Sequence, residues 1–297
     1  MTEPTTPFLN DSTLVSFPSG ALDAVATVRH AVALTDRYGL ICDATPFHPE
    51  DHTWPDQPGD QGTVEGGGRA FEVLDSVIAA AHRSTGEVRV AGDIPVRRGD
   101  PDWSWHVLHV VADDPRALLG REVRLSVDPE RRAGLSAGHT GCELVGPALN
   151  AALRDRWRKE AGLDSLGAPD FDKIAIVSSR IGLHHSVDRY RMGKSLRRKG
   201  FTADGLAEAL GDLEAQVNGL LAEWVAADVP VLVRTEGPSI ADVRRFSCEV
   251  GQGPVTALCG GTHVATTGEL GRVVARLELA DGGQELVLST STGGAAT

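Results

Sequence analysis

Two histidines, a cysteine and a glutamate are the residues of this chain whose types and spacing suit chemistry. Cys259 and His263 are separated by Gly260, Gly261 and Thr262, and two glycines in so short a turn let a sulfur and an imidazole converge. His139 and Glu143 stand far upstream, four residues apart in a stretch with helical periodicity. Their side chains therefore point to one side and can share an ion. Cysteine, imidazole and carboxylate together make a donor set suited to a tetrahedral Zn2+. Taken singly each residue says little, because a lone histidine usually completes a hydrogen-bond network and a helical glutamate usually faces solvent. Thr140 and Thr262 adjoin ligand positions, and their hydroxyls suit orienting a water or testing a substrate side chain.

These residues need elements to hold them. From about Leu14 to Val127 the chain reads as mostly short strands between Gly, Pro and Asp turns, for example Val25–Leu34, Gly86–Val90, Trp103–Val111 and Glu122–Val127. That rhythm predicts a small N-terminal β-barrel or sandwich domain over 1–127. Residues 103–110 alternate in the manner of a strand with one wet face. Pro46–Gly62, with four prolines, predicts a loop of fixed shape.

The character changes at Asp128, which suits a helix cap with Pro129 in the first turn. Apolar residues at helical spacing continue from Leu135 to Leu153, and Pro147 is expected to bend the helix. A second helix is predicted from Thr202, as cap, to Ala227. Strands follow at Val229–Arg234, Val243–Glu249, Val255–Leu258, Gly271–Leu279 and Glu285–Ser289, the last two joined by an Asp281-Gly282-Gly283 turn. The class expected is α+β, with a metal-bearing domain over 128–297 that carries an antiparallel sheet. The first ten residues and the stretch from Thr292 to Thr297 read as loose ends.

Composition sets outer bounds. The net charge of −12 argues against a protein that coats nucleic acid by bulk electrostatics. It leaves room for a local basic patch, and Arg189, Arg191, Lys194, Arg197, Arg198 and Lys199 form one. The four cysteines are scattered without CxxC pairing, so most are expected to be buried small residues. No apolar run approaches the ~20 residues of a membrane-spanning helix, and the N-terminus has no secretory pattern. A cytoplasmic location is the expectation.

The run from Leu258 to Gly271 resembles the signature of the alanyl-tRNA synthetase editing domain and of free-standing alanyl-tRNA editing proteins. Thr45-Pro46-Phe47-His48-Pro49-Glu50, then Gln57-Pro58-Gly59-Asp60-Gln61-Gly62-Thr63, is similar to a second family stretch. Asp128 to Arg132 with Gly138 to Leu144 resembles a third, and the helix with Asn218 followed by Val229-Pro230-Val231 a fourth. The likeness spans roughly residues 14 to 290.

Carried over, the family's metal ligands fall on His139, Cys259 and His263. The fourth, a histidine in the family, is Glu143 here. Either Glu143 takes that place as an oxygen ligand, the reading preferred, or it stays off the metal and positions or deprotonates water. Two regions depart from the family: Thr53–Gln57, in place of a glycine-rich loop, and Phe171–Lys199, with Ser178, Ser179, His184, His185 and Asp188.

The resemblance implies a hydrolase that acts in trans on the ester of a mischarged tRNA, with the basic cluster near the acceptor end. The amino acid expected is serine or glycine on alanine tRNA, or a threonine analogue, as in fluorothreonyl-tRNA deacylases. A hydrolase of small amino-acid esters or amides, or an inactive metal-stabilised tRNA-binding module, are the alternatives.

Overall fold

The computed structural model describes residues 9–251 and 253–293, so most of the expected loose ends lie outside the described residues. In chain order the strands of the first part are β1 (Leu14–Val15), β2 (Asp23–Ala33), β3 (Tyr38–Cys42), β4 (Ala44–Thr45), β5 (Gly62–Gly66), β6 (Arg69–His82), β7 (Val88–Val90), β8 (Trp103–Val111) and β9 (Glu122–Val127). Helix α1 (Pro129–Ala152), the short α2 (Phe171–Ala175), β10 (Ile176–Gly182), β11 (His185–Arg191), the short α3 (Lys194–Arg198) and α4 (Leu206–Ala226) follow. The chain continues with β12 (Val231–Thr235), β13 (Arg244–Val250), β14 (Gly253–Leu258), β15 (Val273–Ala280) and β16 (Glu285–Thr292). Two compact units result. One runs to Arg132 and takes in Thr235–Arg244; the other holds Ala133–Arg234 and the chain from Arg245 onward.

The first unit is a closed antiparallel barrel of six strands. They neighbour one another in the order β5-β9-β2-β3-β8-β6, and β6 returns to pair with β5. The long β6 serves both sides because its register against β8 shifts between Val73 and Asp75, a bulge that bends a strand round a barrel corner. Phe47, Trp105, Val107 and Leu125 are among the residues that fill the interior.

The wet face expected on Trp103–Val111 is absent, since eight of its nine residues are buried. The outward Leu108 packs in a second cluster with Leu9, Ile41, Ala79 and Ala81, so both faces of the strand are covered.

Thr235–Arg244 straps this unit. Pro238 accepts the Val15 N–H at 2.8 Å, the Ile240 N–H donates to Thr13 at 2.9 Å, and Ile240 is fully buried. The Arg244 guanidinium lies 5.1 Å over the Phe17 ring.

In the second unit, a four-stranded antiparallel sheet has the order β10-β11-β16-β15 and a three-stranded one the order β12-β13-β14. Asp128 caps α1 as expected, its carboxylate accepting the Glu130 and Arg131 N–H groups at 3.0 Å. The helix continues through Pro147. Thr202 does not cap α4. That helix starts at Leu206 after Gly205 in the left-handed region, its cap lying three residues beyond Thr202, whose N–H donates to the Arg156 carbonyl at 2.8 Å.

Glycine spacing sets α1 against the four-stranded sheet. A Cβ at Gly138 would meet the Gly182 carbonyl oxygen at 2.4 Å, and one at Gly141 would meet the Thr292 methyl at 2.8 Å. The helix thus lies close on the sheet only because those positions carry no side chain.

Candidate metal centre

Helix α1 and the turn after β14 bring three donor atoms together. Cys259 Sγ lies 3.2 Å from His139 Nε2 and 3.3 Å from His263 Nε2, and the ligand atoms of all three residues lie within 4.8 Å of one another. Zinc bond lengths in a tetrahedron put sulfur and nitrogen ligands about 3.5 Å apart, so the triad has the dimensions of a zinc site. His139 and Cys259 are buried. Burial pushes the Cys259 thiol up to about 11, Glu143 adding to the effect while His139 opposes it. The Gly261 N–H points at the sulfur from 3.5 Å, a donor that favours the thiolate a cation would draw out.

Thr140 decides how His263 presents itself. Its hydroxyl has one hydrogen, donated to the Ser136 carbonyl at 2.8 Å, the back-bond a threonine makes inside a helix. Its oxygen accepts the Val264 N–H at 3.2 Å and lies 3.2 Å from His263 Nδ1. With its proton committed, Thr140 can only accept from the imidazole, so Nδ1 carries the hydrogen and Nε2 keeps its lone pair. That lone pair is on the nitrogen facing Cys259. The tautomer needed for metal binding is therefore fixed by a side chain that touches no ligand sulfur.

Thr262 is tied in as well, accepting from the Ser136 hydroxyl at 2.9 Å. The Phe246 ring packs 4.8 Å from the His263 ring and the His139 ring 4.7 Å from it.

Glu143 stands beside the triad rather than in it. A carboxylate oxygen is 3.6 Å from His139 Nε2, and the side chain keeps some exposure, but the group of mutually close donors does not include it. One turn further along α1 lies a second polar cluster that the sequence did not single out as a unit. Cys142 Sγ is 3.5 Å from Ser179 Oγ and 3.6 Å from the Asp188 carboxylate. Tyr190 donates to Asp172 at 2.8 Å. Burial drives Asp172 up to about 7; the Tyr190 hydrogen bond opposes this, and the negative charges of Asp188, Asp170 and Glu143 reinforce it.

Ser136 was within reach of sequence reasoning, since it precedes His139 by three on the same helix face. Phe246 was not, because it reaches His263 only through the folding of β13.

The six basic residues from Arg189 to Lys199 are all exposed. Arg189 pairs with Glu285 at 2.6 Å, and the Arg198 carbonyl accepts from Lys159 at 3.2 Å. In the barrel unit, the loop holding Thr53–Gln57 is pinned at Asp60. Asp60 accepts the His48 N–H at 2.6 Å and pairs with the buried Arg132 guanidinium. A broad cleft of about 1060 Å3 on that unit is bordered by His106 and Cys42. His106 lies between Ser104 and Thr13, so it serves the barrel's own hydrogen bonding.

No family model matches the chain. Among curated proteins it is similar to alanine--tRNA ligases from several bacteria. It is 26% identical to that of Parafrankia sp. (strain EAN1pec) over 246 residues, 80% of this chain and 22% of the relative. For Frankia alni the identity is 28% over 242 residues, 80% of this chain and 22% of the relative. For Anaeromyxobacter dehalogenans it is 26% over 264 residues, 86% and 24% respectively. The chain thus spans less than a quarter of the length of the curated relatives it matches. Among the described residues, no helix is long and apolar enough to cross a membrane.

Proposed function

We propose that this chain is a metal-dependent aminoacyl-tRNA deacylase that works in trans in the cytoplasm, on serine or glycine carried by alanine tRNA or on a threonine analogue such as fluorothreonine. The observation that carries the reading is the convergence of His139, Cys259 and His263 in a chain similar to part of alanine--tRNA ligases. Those three residues would hold a zinc ion. When bound, the ion supplies Lewis-acid polarisation of an ester carbonyl and eases deprotonation of water.

The chain's own residues supply the rest. Thr140 holds His263 in its ligating tautomer. Glu143, beside His139 and outside the triad, takes a proton from the attacking water as general base. Water oxygen bonds to the ester carbon, the bond to the ribose oxygen breaks, and the proton returns to that oxygen. Ser136 and Thr262 form a hydroxyl pair at the wall, suited to sensing whether the amino-acid side chain carries a polar group. The cluster Arg189–Lys199 suits phosphates away from the reacting end.

The test is hydrolysis of a panel of aminoacyl-tRNAs beside small amino-acid esters, with zinc content measured on the same preparation. Turnover confined to one class of aminoacyl-tRNA is expected. Turnover of small esters alone, or none with zinc bound, overturns the reading. Glu143→Gln separates its two roles: zinc content held with activity down about 100-fold marks a base, at the magnitude general bases contribute. Loss of zinc marks a ligand.

A further inference from the structure

One turn of α1 beyond His139, Cys142 meets a polar cluster that no role above uses. Residues three apart on a helix are neighbours, so this cluster begins beside the triad. Cys142 and the adjoining Glu143 both keep partial exposure, which leaves the helix open to solvent at these two positions. The floor is the four-stranded sheet. Ser179 on β10 and Asp188 on β11 stand directly opposite each other and are 4% and 1% exposed. The Cys142 sulfur lies 3.5 Å from the Ser179 hydroxyl oxygen, and 3.6 and 3.7 Å from the two Asp188 carboxylate oxygens.

The chemistry of the cluster suits a guest that donates a hydrogen bond. Burial, reinforced by the Asp188 charge, pushes the Cys142 thiol well above its ordinary value, so it keeps its hydrogen. A thiol is a weak donor, whereas a carboxylate gains most from a strong one. Two residues back on the same face of β11, Ser186 stands opposite Thr290. Both hydroxyls are buried without a hydrogen-bonding partner among the described residues. Buried polar groups are nearly always paired, so this face favours a guest with polar atoms of its own over a bare methyl.

The Ser136 hydroxyl, one turn before His139, is already given to Thr262. That pair borders the site, and the charged oxygens of Asp188 are the stronger acceptor. Ser179 and Asp188 also fall in the stretch Phe171–Lys199, where the chain departs from the family it resembles. The resemblance therefore assigns them no role.

We infer that Asp188 reads the side chain of the aminoacyl group, accepting a hydrogen bond from a side-chain hydroxyl that takes the place of the Cys142 thiol. This rests on the reading of the triad as a site for an aminoacyl ester. Serine and a threonine analogue carry such a hydroxyl; glycine and alanine do not. The substrate class is thus the hydroxyl amino acids. The preference is graded rather than absolute, because the thiol returns to Asp188 when the guest offers no donor.

The test uses an acceptor-stem hairpin whose terminal adenosine carries serine, alanine or glycine through a 3′ amide, which resists the hydrolysis an ester undergoes. Calorimetry on the zinc-loaded chain gives the affinities. The seryl hairpin should bind about tenfold more tightly than the alanyl one, the scale of one hydrogen bond to a charged group. Asp188→Asn keeps the shape with a neutral acceptor of roughly half the strength, so the ratio should fall to about threefold. Cys142→Ala removes the thiol that competes for Asp188, so the ratio should rise. Both variants should keep zinc content and affinity for the glycyl hairpin, which shows them folded. A merely structural role for the cluster would lower all three affinities together. Cys142→Ala leaves the buried carboxylate in place, and its ratio still decides the matter if Asp188→Asn does not fold.

Equal affinity for the seryl and alanyl hairpins in the intact chain, or no binding of either, overturns the inference. So does a ratio that neither variant changes or that both lower. Initial rates on the corresponding charged tRNAs separate this from failure of the hydrolytic reading. A binding preference for serine without turnover of any ester sinks that reading and keeps the role of Asp188. Turnover that cleaves seryl and alanyl esters alike sinks the role of Asp188 and keeps the reading.

Discussion

At the scale of single residues, the centre works by leaving each donor few alternatives. Thr140 spends its one proton on the Ser136 carbonyl, and this forces the hydrogen of His263 onto Nδ1. Replacing Thr140 by valine keeps the shape and removes the acceptor. Zinc affinity is expected to fall by 10- to 100-fold, about the usual effect of losing such a partner, and Thr140→Ser is expected to restore it. Competition with a chromophoric chelator measures both, and unchanged affinity in the valine variant would refute the tautomer argument. Cys259→Ser should lower both zinc content and deacylation, the latter roughly 100-fold or more, since the ion's charge stabilisation is worth several kcal/mol. The turn from Cys259 to His263 was legible because its ligands sit within five consecutive residues. The relation of Glu143 to the triad was not legible, since helical spacing gives a common side but not the few tenths of an ångström that separate a ligand from a neighbour.

At the scale of elements, α1 is the piece on which the centre depends, and it is anchored at its first turn and seated by its glycines. Arg132 and Asp60 form a buried pair: the guanidinium Nε is 3.1 Å from both carboxylate oxygens, and Nη2 donates to Pro46 at 2.7 Å. Arg132→Met leaves a buried carboxylate without its cation, and the loss expected is about 3–5 kcal/mol of unfolding free energy, read from denaturant midpoints at constant m. Gly138→Ala has no room against the Gly182 carbonyl. It should cost about 1–3 kcal/mol as overpacking does and, by lifting His139, lower zinc affinity more than a stability-matched variant elsewhere. Helix α1, its cap, four strands of the first unit and five of the second could be read from periodicity and turn residues, while the long β6 and the β10–β11 pair could not. A barrel or a sandwich is the expectation for the first unit and the barrel is what forms; the pairing of β6 at both edges that decides between them could not be read, because a bulge leaves no mark in composition. Burial of β8 on both faces misled for a similar reason: Ser104 and His106 read as a wet face, yet each is buried against a hydrogen-bonding partner.

At the scale of the whole molecule, the two units should respond to pH with opposite sign. Burial holds His106 and His109 in the barrel down to about 4, from 6.5 in the unfolded chain. Between those values the unfolded barrel binds more protons, so its stability is complete above 6.5 and is lost as the pH falls toward 4. Asp172 in the other unit is raised from 3.8 to about 7. Its contribution is complete below 3.8 and is lost as the pH rises toward 7. Hydrogen exchange, corrected for intrinsic rates, should show protection in β8 falling from pH 7 to 5 while protection in β11 holds or rises. Asp172→Asn should flatten the second response, and parallel loss in both strands would contradict the assignment. The strap from Thr235 to Arg244 adds a condition on how the chain is made. The ribosome finishes the barrel strands at Val127, but Pro238 and Ile240, which cover Val15 and Thr13, emerge about a hundred residues later. At about 5–20 residues per second, that is a delay of roughly 5–20 s. Through that interval Phe17 lacks its arginine and the barrel its last buried isoleucine. The barrel unit is therefore incomplete until Arg244 has emerged, and a nascent chain arrested before that residue carries an open apolar flank for chaperones to find.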